Sequence, residues 1–64
     1  MESKNVNIGM RVRVHKIYSK PHLEGLIGTI QQCFGGESHA AFEVLLPDGR
    51  TELFWHHELE EEAN

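Results

Sequence analysis

A chain of 64 residues, 39% hydrophobic and 25% charged, is one globular domain at most, and folding buries only about 60% of the surface such a chain exposes when unfolded. A single cysteine, Cys33, excludes an internal disulfide framework, and no apolar run approaches the roughly 20 residues of a membrane helix. The net charge of −4 excludes a broadly basic nucleic-acid binder, although residues 1–20 carry five cations against one acid and residues 21–64 carry Arg50 against nine acids.

That asymmetry has a plain structural reading: the two ends attract each other across a closed fold. The first residues also lack the apolar stretch of a secretory signal. With one thiol and no membrane segment, a cytoplasmic location is expected.

No window keeps the helical spacing of apolar residues, and glycines at 9, 25, 28, 35, 36 and 49 interrupt the chain too often for long helices. Strand signals are clear. In "MRVRVH", Met10, Val12 and Val14 face one way and Arg11, Arg13 and His15 the other, which is a half-buried strand. "KIYSKPHLEG" has no period and contains Pro21, so it reads as a long loop. "LIGTIQQCF" is the second strand, where Gly28 marks a bulge, a bend or the close approach of another backbone. "GGESH" is a turn. "AAFEVLL" is the third strand, with Phe42, Val44 and Leu46 on one face and Glu43 on the other.

"PDG" is a hairpin turn, because Pro47 presets φ and Gly49 accepts φ > 0. "RTELFW" is the fourth strand; Leu53 and Trp55 share one face, Glu52 and Phe54 the other. "HHEL" is a short 3₁₀ turn. Leu59 then begins a last strand ahead of the acidic tail "EEEAN", which is expected to fray.

Five short strands, a long first loop and a 3₁₀ turn before the last strand predict an all-β, five-stranded SH3-like barrel, with an ordered part at about residues 8–61. An OB-like barrel is the alternative, but it normally takes a longer chain. The expected core is Val12, Val14, Ile27, Ile30, Phe42, Val44, Leu53 and Leu59.

"IGMRVRV", "LEGLIGTIQQ", "FEVLLPDGR" and "HHELEE" together resemble the layout of small SH3-like barrels over residues 8–62. Within that group the chain is most similar to the variable chain of ferredoxin–thioredoxin reductase. It also resembles the photosystem I accessory barrel, the nitrile hydratase β-chain barrel and, through "GLIGTI", KOW modules. The segment 35–41 is reduced against the usual variable chain. The resemblance to the first three implies a piece that supports another subunit and carries no catalytic groups.

The chemical candidates are few. Adjacent strand residues point to opposite faces, so His56 and His57 cannot both ligate one metal without a bend. No Cys-x-x-Cys or His-x₃-His spacing supplies a tetrahedral site, and the expectation is no metal and no cofactor. Cys33 lacks a glycine-framed nucleophile motif and reads as a buried thiol. "GLIGTI" lacks the Lys-Ser/Thr of a phosphate loop. The chain reads as a non-enzyme.

Two binding readings follow. In the first, the barrel binds a protein partner through the rim of the long loop with Tyr18, His22, Phe54 and Trp55. Phe54 is the foremost surface candidate, since Leu53 and Trp55 would point inward; Trp55 is as much a core candidate as a surface one. An exposed Phe54 or an open strand edge also leaves room for a homodimer. In the second reading, Arg11, Arg13, Lys16 and Lys20 meet phosphate and an exposed aromatic stacks a base, as in a weak RNA or ribosome contact.

Overall fold

A computed structural model describes residues 6–15, 17, 19–35 and 41–62. Five antiparallel strands make one sheet: β1 (Arg11–Val14), β2 (Ile27–Phe34), β3 (Ala41–Leu45), β4 (Thr51–Trp55) and β5 (Leu59–Glu61). Their order across the sheet is β4-β3-β2-β1-β5. Consecutive strands from β1 to β4 are neighbours, and β5 returns to the free side of β1. No ladder joins β4 to β5; the 3₁₀ turn His56–Glu58 connects them. The radius of gyration, 10.6 Å, matches the roughly 10.7 Å of a compact domain of this length.

The alternation in β1 works as its pattern predicts: Val12 and Val14 are buried, Arg11 and Arg13 exposed. β2 is the longest strand and serves two partners. Residues 27–29 pair with β1, and 29–34 pair with β3. Between Ile30↔Val44 and Gln32↔Glu43 the register skips Gln31, so a bulge falls there. A bulge bends its strand and raises the local twist. That lets one strand line both halves of the sheet.

Gly28 has a different task. A Cβ there would lie 2.5 Å from Val44 Cγ1 and 2.6 Å from the Leu45 carbonyl oxygen. Of the three readings its place in the strand allows, close approach of another backbone is the one found.

The loop between β1 and β2 contains the other 3₁₀ turn, Pro21–Leu23, and sends Ile17 and Leu23 into the core. Gly25 turns the chain back at φ 82°, donating its N–H to the Val14 carbonyl at 2.8 Å. The core is therefore Val12, Val14, Ile17, Leu23, Ile30, Phe42, Val44, Leu46, Phe54 and Leu59. Two expected members depart from this: Leu53 is exposed and Ile27 is only half-buried. Cys33, expected to be buried, is exposed near the end of β2.

Of the acidic tail expected to fray, Glu60 to Glu62 are paired with β1, while residues 63–64 lie outside the described residues. Glu60 and Glu61 belong to β5 and pair with Arg13 and Val12. The Glu62 N–H donates to the Arg11 carbonyl at 3.0 Å, and its carboxylate accepts Arg13 Nε and Nη2 at 3.0 and 3.1 Å. The basic first strand and the acidic end do meet, side by side. The expected "GGESH" turn lies outside the described residues except for Gly35, at φ 84°.

Candidate functional site

Which side chains reach the surface of β4 is decided at the hairpin before it. Gly49, at φ 90°, donates its N–H to the Leu46 carbonyl at 3.0 Å, and the Leu46 N–H donates to the Arg50 carbonyl at 2.8 Å. Asp48 locks the turn: its carboxylate accepts the Arg50 N–H at 3.0 Å and Arg50 Nε at 2.7 Å. The Arg50 N–H first, and then its guanidinium, hold the Asp48 carboxyl below the ordinary aspartate range.

Three loop residues between Leu46 and Arg50 fix the pairing beyond them. Leu45 meets Thr51, Val44 meets Glu52, Glu43 meets Leu53, Phe42 meets Phe54 and Ala41 meets Trp55. Residues directly opposite share a face of the sheet. Phe42 and Val44 face the core, so Phe54 does too and is 1% exposed. This reverses the expected polarity of β4. Phe54 is not a surface residue, while Leu53 and Trp55 stand outside at 54% and 53% exposure.

The outward rows across β2, β3 and β4 follow from the same registers. They are Phe34–Ala41–Trp55, then Gln32–Glu43–Leu53, then Thr29–Leu45–Thr51. Phe34 is 45% exposed. Glu43 is the middle position of the nine. Its side chain is half-buried and forms no hydrogen bond or ion pair with a described residue.

The outer edge of this face is covered at two points. Lys20 Nζ reaches from the long loop to donate to the Leu53 carbonyl at 3.2 Å and to Glu52 Oε1 at 3.3 Å, and it lies 5.3 Å from the centroid of the Phe54 ring. Glu58 Oε1, from the 3₁₀ turn, accepts the Trp55 N–H at 2.8 Å. Unpaired edge groups are a template for a foreign strand, and side chains bonded to them blunt it.

The other expected site residues are scattered. Tyr18 and Lys16 lie outside the described residues. His22 is exposed in the first 3₁₀ turn. The loop rim and β4 do meet, through Lys20. Among the cations proposed to meet phosphate, Arg13 is engaged with Glu62 and Lys20 with Glu52. Hydrogen bonds to Arg13 hold the Glu62 carboxyl below the ordinary glutamate range. Arg11 and Arg13 sit on β1, whereas Lys20 bonds β4, three strands away in the sheet order.

His56 is half-buried and His57 exposed, with their rings edge to face and centroids 5.5 Å apart. Among the described residues no group of three or more His, Cys, Asp and Glu could hold a metal, and no polar or charged side chain is buried. Compared with known proteins, the chain matches no family model, no curated protein and no solved structure.

Proposed function

We propose that this chain is a non-catalytic protein-binding module, built as a small SH3-like barrel, and that it acts as an accessory or regulatory subunit. The barrel reading rests on the strand order β4-β3-β2-β1-β5, the bulged β2 shared by both halves, and the 3₁₀ turn ahead of β5. It agrees with the likeness to the reductase variable chain and to the photosystem I and hydratase barrels, which support larger subunits.

One observation carries the function: Phe34, Leu53 and Trp55, three of the four exposed large apolar side chains among the described residues, share one sheet face. A chain this short needs its large apolar residues inside, and single-domain proteins rarely leave them clustered outside without a partner. The surface role expected of Phe54 passes to Leu53 and Phe34 beside Trp55.

The test compares wild type with a Leu53→Ser/Trp55→Ser variant as immobilised bait in lysate of the source organism. At least one protein should be retained by wild type and lost from the variant, with both baits folded by thermal melting. Equal retention by the two baits would overturn the reading. So would mixed RNA binding, by polarisation, that falls steeply between about 50 and 200 mM salt.

A further inference from the structure

We propose that the outer face of β2, β3 and β4 receives a basic amphipathic segment of another protein, with a lysine or arginine of that segment meeting Glu43. The inference rests on the protein-binding reading above and adds where the partner sits and what chemistry it brings.

The face carries Phe34 and Trp55 at one end and Leu53 at the β4 side, threonines at the other end, and a carboxylate at its centre. Phe34, Leu53 and Trp55 stand on the strands either side of β3, and Glu43 is the central β3 residue of the same face, opposite Gln32 on one side and Leu53 on the other. A carboxylate flanked by apolar groups loses much of its water once the face is covered, and that cost is recovered only if the cover brings a cation. This chain supplies none among its described residues. Arg13 is held by Glu62, Lys20 by Glu52 and Arg50 by Asp48, while Arg11 stands near enough to Glu62 to help lower its pKa.

Two other occupants fit worse. A second copy related by two-fold symmetry would bring two Glu43 carboxylates and two chains of charge −4 together. The three rows on three strands also span only about 10 by 13 Å, the width of one helix, against roughly 800 Å² per partner in a standard interface. An added β-strand would need the free edge of β4, where Lys20 and Glu58 already bond the Leu53 carbonyl and the Trp55 N–H.

Trp55 is the only tryptophan, so its emission reports directly on this face. The probes are two peptides of about 15 residues without aromatic side chains, one a Leu/Lys amphipathic helix and the other its Leu/Glu counterpart. The Leu/Lys peptide should shift Trp55 emission to the blue, and the Leu/Glu peptide should not. Binding should weaken about tenfold or more in Glu43→Gln, as expected for a charge-assisted contact, and stay unchanged in Glu61→Gln, an equal charge change on β5. Glu43→Lys should reverse the preference between the peptides.

Equal weakening by Glu61→Gln, equal binding of both peptides, or no shift of Trp55 with either would overturn the proposal. Light scattering that shows a wild-type dimer broken by Leu53→Ser would do the same. If a captured protein depends on Leu53 and Trp55 but is indifferent to Glu43, this inference falls and the protein-binding reading stands. If no protein depends on Leu53 and Trp55, the broader reading falls first.

Discussion

Phe54 and Trp55 are adjacent, both aromatic, and they do opposite things. Phe54 packs opposite Phe42 with the Lys20 ammonium over its ring, whereas Trp55 projects from the other side of the sheet. Phe54→Ala should therefore cost about 3–5 kcal/mol, as large-to-small core changes do. A chain of this length has only about 3–10 kcal/mol of total stability, so much of that variant should be unfolded. Leu53→Ser and Trp55→Ser should each stay within about 0.5 kcal/mol of wild type. Urea unfolding followed by circular dichroism reads all three, and the reverse order would mean that β4 is inside out. The correct polarity was legible in the sequence. A three-residue turn between Leu46 and Arg50 puts even-numbered residues opposite even-numbered ones, so an inward Phe42 requires an inward Phe54. Counting apolar residues favours Leu53 with Trp55 instead, because Phe54's partner on its face is Glu52. Turn geometry outranks that count, since a one-residue slip turns every side chain to the other face.

The elements with a strict period were the legible ones. Alternation in β1, β-branched residues in β2 and β3, the Pro-Asp-Gly turn and the His-His-Glu turn all lie where their local chemistry places them. The long loop was not legible in the same way. Ile17 and Leu23 enter the core from a segment without periodicity, anchored by a single 3₁₀ turn, and no pattern rule singles them out. Nor does a sequence show that Gln31, three residues past the glycine, is where β2 loses register. Gly28 matters for space and not for backbone freedom. Gly28→Ala would drive its methyl into Val44 Cγ1 and the Leu45 carbonyl; the latter is backbone and cannot rotate aside. The expected loss is about 1–3 kcal/mol, the usual cost of overpacking. A thermal melt equal to or higher than that of wild type would show that β2 and β3 can separate there without loss.

For the whole molecule, the uneven charge distribution brings opposite charges together where β5 pairs with β1. Arg11 and Arg13 on β1 lie beside Glu60 and Glu61 on β5, with the Arg13 side chain on Glu62 and the His15 backbone N–H on the Glu58 carbonyl. Backbone pairing and charge attraction can be separated experimentally. A chain ending at Leu59 loses both; Glu60→Gln/Glu61→Gln/Glu62→Gln keeps the ladder and loses the charges. The truncated chain should melt well below wild type, because β1 is left with a bare edge and Leu59 with no strand to hold it. The triple variant should differ only slightly, because the Arg13–Glu62 pair is open to solvent and screened. Acid then distinguishes the charges by sign. Glu62 has its pKa lowered by Arg13, so its contribution is complete above the ordinary glutamate pKa and disappears as pH falls through the lower, folded value. As pH falls from about 7 through that lowered folded value, wild type should lose its small advantage and converge on the triple variant. The truncated chain should remain below both throughout. If truncation and neutralisation destabilise equally at pH 7, charge rather than the β1–β5 ladder holds β5 to the sheet.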